Sequence, residues 1–241
     1  MTVAVRHFGQ RRRGPRTAAC DRLVVRLSPV ETALEVLYQA SAEGFKHRKL
    51  MLAERDLDRV LAAPQHAEAW GIVEPTAAGV RRFRLAAKAS TLTAHFSRLP
   101  PIDAARELLT APPDAVCVDA EGLGPMDTQR LIQFLTILYD GSVPCVVTGW
   151  PACALERAGV SEWTTERLES RWRVDLRGKT SFNNEDAVLE APDRRRFVRT
   201  EACRSCDAAT YCDGVSLRSL EAGPMPLPHP IQAIIPRPEF A

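Results

Sequence analysis

Three cysteines towards the carboxyl end of the chain have a spacing that suits metal binding. Cys203 and Cys206 are separated by two residues, and Cys212 follows after five more. Two thiolates three positions apart can bind one ion or one corner of a cluster, because a turn directs both sulfurs to the same side. The flanking residues are arginine, serine, aspartate and threonine, which do not favour cysteines buried merely as small apolar residues. The segment is therefore predicted to bind a metal ion or an iron–sulfur cluster.

Three ligands leave one position open, and we predict Cys153 as the fourth ligand. It follows a predicted strand, at the end where a parallel sheet places its functional loops. Cys117 and Cys145 lie inside predicted strands and are interpreted as packing residues, while Cys20 belongs to the amino-terminal tail. Zinc and a [4Fe–4S] cluster both accept four thiolates, so the spacing leaves these two cofactors as alternatives.

The elements that would position these cysteines follow an alternating pattern. A buried strand over 115–120, an amphipathic helix over about 126–140 and a returning strand over 143–148 form the best βαβ signal, and the crossover rule makes the two strands parallel. A further strand is predicted at 22–27, and residues 70–73 are predicted to form a weak strand or a turn. Further helices are predicted at 28 to about 42, 52–63, 80–89 and 103–109. This alternation predicts an α/β fold with a mainly parallel sheet.

The composition along the chain predicts three parts. Residues 1–19 are polar and basic and are expected to form a flexible tail. Residues 20–172 are expected to form the α/β domain, and residues 173–241 a cysteine-rich extension. The extension ends in a stretch, 224–238, with six prolines in fifteen residues, which is typical of an extended polyproline-like segment.

The cysteine segment resembles part of a known family. Its pattern is Cys203-x-x-Cys206-x5-Cys212-x-Gly214, followed by Leu220-x-x-Gly223. It is similar to the C-terminal auxiliary-cluster extension of radical S-adenosylmethionine enzymes with SPASM or twitch domains. In those enzymes an upstream Pro-x-Cys-like loop often supplies a ligand, and Pro151-Ala152-Cys153 resembles that loop. The resemblance covers about residues 20–225 and implies a partial (β/α) barrel carrying one [4Fe–4S] cluster.

The same resemblance implies that the radical chemistry has been lost. The family carries a Cys-x3-Cys-x2-Cys loop after its first strand, and the matching positions here are Val30, Leu34 and Leu37, which cannot bind iron. The stretch from Gly71 to Thr76 resembles the family's Gly-Gly-Glu-Pro stretch, with isoleucine replacing one glycine. We therefore expect no bound S-adenosylmethionine and no catalytic residues of the family's type.

The charge distribution and hydropathy of the sequence argue against some classes of function. Residues 1–26 contain seven arginines and one acidic residue, whereas the remaining chain has 25 basic and 29 acidic residues. A slightly acidic body is a poor nucleic-acid binder, so we predict no nucleic-acid partner. No run approaches the roughly 18 apolar residues of a membrane span, and the start lacks the apolar stretch of a secretory signal. We predict a cytoplasmic protein without a membrane partner, in which disulfides are not expected.

Three functional hypotheses follow. The first is an accessory iron–sulfur protein without independent activity, which serves a modification pathway on a peptide by binding the substrate, supporting an active homologue or relaying electrons. The second is a zinc-stapled protein-interaction module without a redox role, which recognises its partner through the arginine run 194–196 and the proline-rich tail. The third is an enzyme that uses Asp119 and Glu121 at a strand end, although the more economical interpretation of these acids is a cap for the helix predicted over 126–140.

Overall fold

The computed structural model describes nine ranges of the chain. The residues described are 22–26, 47–61, 69–87, 90–157, 164–165, 171–175, 187–190, 197–210 and 212–223. Between His47 and Arg157 strands and helices alternate, so the predicted α/β class is confirmed. Four predicted features lie outside the described residues: the basic tail, the helix expected from residue 28 to about 42, the arginine run 194–196 and the proline-rich end.

The strands are β1 (Arg22–Arg26), β2 (His47–Ala53), β3 (Ala69–Val73), β4 (Thr91–Phe96), β5 (Ala115–Asp119), β6 (Cys145–Thr148), β7 (Thr164–Thr165), β8 (Arg171–Asp175), β9 (Ala187–Glu190), β10 (Phe197–Val198) and β11 (Val215–Ser216). The α-helices are α1 (Leu57–Leu61), α2 (Ala77–Ala86), α3 (Ile102–Leu108), α4 (Pro125–Asp140), α5 (Ala152–Arg157) and α6 (Leu217–Ala222). Short 3-10 turns occupy Glu54–Asp56, Glu201–Ser205 and Asp207–Thr210. None of the described helices is long and apolar enough to cross a membrane.

The chain divides into two compact units. The first comprises Met1–Ala94 and Glu169–Pro192, and the second comprises His95–Leu168 and Asp193–Ala241. All four predicted metal ligands belong to the second unit.

The first unit is built on a parallel sheet with one antiparallel edge. Strand β1 pairs in parallel with β2 on one side and with β8 on the other, and β2 pairs in parallel with β3. Strand β9 runs antiparallel to β8. The three central residues of β3 are all buried, as expected for a strand covered on both faces of a parallel sheet. Helix α2 packs Phe83 against Trp70 of β3, with ring centroids 5.6 Å apart.

The second unit contains the strongest βαβ signal of the sequence, and the prediction is confirmed. Strand β5 pairs in parallel with β6, which pairs in parallel with β7. Helix α4 connects β5 to β6 and buries one apolar face, formed by Leu131, Phe134, Leu135 and Leu138. Phe134 meets Phe96 edge-on, with ring centroids 5.8 Å apart. Burying an aromatic or leucine side chain stabilises a fold by about 1.5–3 kcal/mol, so this face accounts for the position of α4.

The structure differs from the sequence prediction in two places. The helix expected over 52–63 is present but begins only at Leu57, because residues up to Ala53 belong to β2 and Glu54–Asp56 form a 3-10 turn; residues 62 and 63 lie outside the described residues. Strands β2 and β4 were not predicted. The first three residues of β2 are basic, so its apolar residues form only a short run in the sequence. In β4, threonine and histidine residues alternate with the buried apolar residues. Sheet pairing, rather than local hydrophobicity, makes these segments strands.

Candidate metal centre

The cysteine segment folds as two consecutive tight turns. Cys203 lies in the turn Glu201–Ser205, and Cys206 lies between this turn and Asp207–Thr210. The amide of Cys206 donates to the carbonyl of Cys203 at 3.4 Å, and the amide of Cys212 donates to the carbonyl of Ala208 at 2.9 Å. These short-range bonds fold the segment back on itself. The spacing of the three cysteines is therefore matched by turns.

Cys153 reaches the same region from a different part of the second unit. It follows β6, as the sequence indicates, but it lies in the short helix α5 rather than in an open loop. Pro151 immediately precedes this helix, and its carbonyl accepts the amide of Ala154 at 3.0 Å. A proline is well suited to a helix start, since it has no amide hydrogen to satisfy.

Three of the four predicted ligands contact one small apolar cluster. Cys153 is 8% exposed and packs with Ala152 and Ala208. The partly buried Cys206 and Cys212 pack against this cluster. We call Cys153, Cys206 and Cys212 the thiol cluster. The sulfur of Cys203, the fourth predicted ligand, lies 3.7 Å from the hydroxyl of Thr200 instead.

The Cys212 sulfur is surrounded by main-chain donors. It accepts the amide hydrogen of Ala152 at 3.5 Å and that of Gly214 at 3.4 Å. Burial raises the pKa of the Cys212 thiol, these two amides and the charge of Arg199 act to lower it, and Cys153 adds to the rise. Hydrogen bonds donated to a sulfur favour its thiolate form, which is the form that binds metals.

The donor set fits a thiophilic metal by its chemistry. Soft thiolates select zinc or iron–sulfur clusters over hard cations such as Mg²⁺ or Ca²⁺. The described residues include no group of three or more His, Cys, Asp or Glu that is already arranged to hold a metal ion.

Sequence reasoning missed Arg199, which fastens the cysteine segment. Its guanidinium donates to the carbonyls of Ala209, at 3.1 Å, and Asp213, at 3.3 Å, and also to the carbonyl of Cys212. Nothing in the sequence distinguishes this arginine from the basic run just before it. Only the fold brings it to the end of the cysteine segment.

The paired acids at the end of β5 are used in local contacts. A carboxylate oxygen of Asp119 accepts the amide hydrogen of Glu121 at 3.0 Å, which is an Asx-type turn. The Glu121 carboxylate lies 4.0 Å from the guanidinium of Arg218 and is mostly buried. Neither acid caps α4, whose N-cap is Gly124, so the capping role predicted from the sequence is wrong and the two acids make a local turn and an ion pair instead.

The stretch that resembles Gly-Gly-Glu-Pro ends in a closed turn. Gly71 and Ile72 are buried in β3, and Thr76 is the N-cap of α2, where its hydroxyl accepts the amide of Gly79 at 3.1 Å. The Glu54 carboxylate accepts the Thr76 amide at 2.6 Å and the Thr76 hydroxyl at 2.9 Å. We call Glu54, Thr76 and Gly79 the carboxylate cap. The positions predicted to have lost cysteines, 30, 34 and 37, lie outside the described residues.

A scan against models of protein families found no match to this chain, and a search of curated proteins found none either.

Proposed function

We propose that this chain is an iron–sulfur accessory protein whose single centre is bound by Cys153, Cys203, Cys206 and Cys212. The observation that carries the proposal is that Cys206 and Cys212 pack against the cluster that contains Cys153, Ala152 and Ala208. The cysteines of this group come from α5 and from a separate polar segment. Cys117 and Cys145 also lie close to each other, but within the paired apolar strands β5 and β6, where packing accounts for them.

The accessory role rests on the resemblance to radical S-adenosylmethionine enzymes. Val30, Leu34 and Leu37 have no atom that binds iron, so the site that would bind and reduce the cofactor of that family has no ligands. A [4Fe–4S] cluster at the remaining cysteines would supply one-electron transfer or structural support. The chain's own contribution is to bury the thiols and to direct the Ala152 and Gly214 amides at the Cys212 sulfur. We propose a peptide substrate or an active homologue as the partner.

Metal analysis tests this proposal. We would purify the protein without oxygen, measure iron, zinc and acid-labile sulfide per chain, and record the visible spectrum. About four irons and four sulfides with a broad absorption shoulder are expected. About one zinc and no colour would instead assign the zinc-stapled interaction module. If neither metal is present and iron and sulfide cannot reconstitute a centre, the proposal is wrong.

Two variants separate ligands from packing cysteines. Cys212→Ala is expected to lose metal and stability together, because metal binding is coupled to folding. Cys117→Ala is the matched control, since Cys117 is also a partly buried thiol of the second unit. It should keep the metal and lower the free energy of unfolding by only about 1–2 kcal/mol. Equal effects of both variants on metal content would contradict the ligand assignment.

A further inference from the structure

The cysteine segment is the connection between two paired strands. Strand β10 runs antiparallel to β11, with Phe197 opposite Ser216 and Val198 opposite Val215. Arg199 is the first residue after β10, and Gly214 is the last residue before β11. The two ends of the connection are therefore held side by side, and all three cysteines of the segment lie between them.

The Arg199 side chain extends along the end of this connection. Its Nε donates to the carbonyl of Asp213, and its terminal nitrogen donates to the carbonyls of Ala209 and Cys212. One planar group thus holds three carbonyls of the last turn before β11. Guanidinium is suited to this because its donors diverge from a rigid fork, whereas a lysine ammonium acts as a point charge.

Gly214 allows the backbone just before β11 to lie close to Val198 and Arg199. Its backbone has a φ of +101°, and a Cβ there would lie 2.5 Å from the Val198 carbonyl oxygen and 3.1 Å from the Arg199 Cγ. The same glycine donates its amide to the Cys212 sulfur. The carbonyls that Arg199 binds and the Gly214 amide that donates to the Cys212 sulfur therefore lie in the same turn.

We propose that Arg199 is the positioning residue of the cysteine centre: by binding the carbonyls of Ala209, Cys212 and Asp213 it fixes the direction of the Cys212 sulfur. This inference rests on the proposed function for its metal ligand. It adds that metal affinity depends on a residue that contacts the ligand's backbone and not the metal. A positive charge at this place also offsets the negative charge that thiolate ligands accumulate.

The first test measures metal affinity in Arg199→Lys and Arg199→Gln. The control is Arg204→Gln, which removes the same charge from an exposed arginine of the same segment, whose partner is Glu201 at 3.3 Å. Co²⁺ titration of the reduced protein, followed by thiolate-to-cobalt absorption, gives the affinity. Both Arg199 variants are expected to lose about 10–100-fold in affinity, the range typical of groups that orient metal ligands. The control should remain close to wild type. Wild-type affinity in both Arg199 variants, or full rescue by lysine, would overturn the proposal.

The second test needs no metal and keeps the inference separate from the proposed function. Amide hydrogen exchange of the metal-free protein reports on the last turn, where the amides of Cys212 and Gly214 are bonded. Both amides are expected to exchange at least about tenfold faster in the two Arg199 variants than in Arg204→Gln, while amides of α4 keep their rates. Unchanged exchange at 212 and 214 would overturn the positioning role. If wild type binds no metal but exchange responds as expected, the proposed function fails and Arg199 still positions the turn.

Discussion

The carboxylate cap of the first unit and the thiol cluster of the second unit are both places where loop residues meet a helix start. In the carboxylate cap, the Glu54 carboxylate binds the amide and hydroxyl of Thr76, and Thr76 in turn binds the amide of Gly79. In the thiol cluster, Ala152 at the start of α5 donates its amide to the Cys212 sulfur. The first site is completed by a hard oxygen donor of the chain itself, and the second by soft sulfur donors.

This difference indicates which of the two sites can still bind a ligand. The donors of Thr76 and Gly79 already have acceptors, and a Cβ on Gly79 would lie 2.4 Å from the Glu54 carboxyl carbon. The cap is thus a closed structural contact, in which a partial positive helix end meets a carboxylate. Thiols form only weak hydrogen bonds to one another, so a cluster of them gains most from a metal ion. Ligand chemistry is therefore expected in the second unit.

Two glycines with no room for a side chain, one in each region, give the strongest test of this comparison. Gly214→Ala is expected to lower the free energy of unfolding by about 3 kcal/mol, because the new Cβ meets the Val198 carbonyl at 2.5 Å and the φ of +101° disfavours a side chain. Gly79→Ala should stay within about 1 kcal/mol of wild type. There the new Cβ displaces the Glu54 carboxylate from its hydrogen bonds with Thr76, a loss that the better helix propensity of alanine partly offsets. Urea unfolding of both variants measures the difference, and equal losses would contradict it.

Cys145 is a buried thiol outside the thiol cluster, and the pH dependence of stability tests how it differs from the cluster. Burial, with a contribution from Cys117, raises the pKa of the Cys145 thiol from 9.0 to about 12. Cys145 donates to the carbonyl of Val143 at 3.4 Å, a bond that also favours the neutral thiol. Above pH 9 the unfolded chain ionises this thiol and the folded chain does not. The stabilising contribution is therefore complete below pH 9 and decreases as the pH rises towards 12.

Between about pH 8 and pH 10.5 we expect wild type to lose about 2 kcal/mol more stability than Cys145→Ala. Urea unfolding of both proteins under reducing conditions at the two pH values measures this difference. Cys117→Ala removes only the smaller contribution, that of Cys117, so its loss should lie just below that of wild type. Parallel losses in wild type and Cys145→Ala would show that burial does not hold Cys145 neutral.

The smallest expected effect tests the carboxylate cap. Thr76→Ala removes the acceptor for the Gly79 amide and one donor to Glu54, and should lower the free energy of unfolding by about 1 kcal/mol. Thr76→Ser keeps the hydroxyl and should remain near wild type. Neither variant should change the metal content of the protein. A loss of metal in Thr76→Ala would mean that the two regions are not independent.

Much of the fold follows from local sequence patterns. Strand β5, helix α4 and strand β6 were predicted within a few residues, because their apolar runs have the period and length of buried elements. Strand β2 was missed, since Arg48 and Lys49 interrupt the apolar signal. For the site, spacing alone indicated turns at Cys203, Cys206 and Cys212. The roles of Arg199 and Glu54 could not be predicted, because each acts on residues that it meets only after folding.

The sequence by itself determined the chemistry that the chain carries: seven cysteines, no cysteine at positions 30, 34 and 37, and a βαβ pattern of parallel-sheet type. These are properties of residue types and short-range order. Tertiary structure places Cys153, expected from the sequence to be the fourth ligand, in the cluster against which Cys206 and Cys212 pack. It alone decided that Glu54 closes the start of α2 and that Arg199 holds three carbonyls of the cysteine segment. The physical reason is that hydrogen bonds and packing act over a few ångströms, so partners distant in sequence become partners only where the packed sheets and helices bring them together.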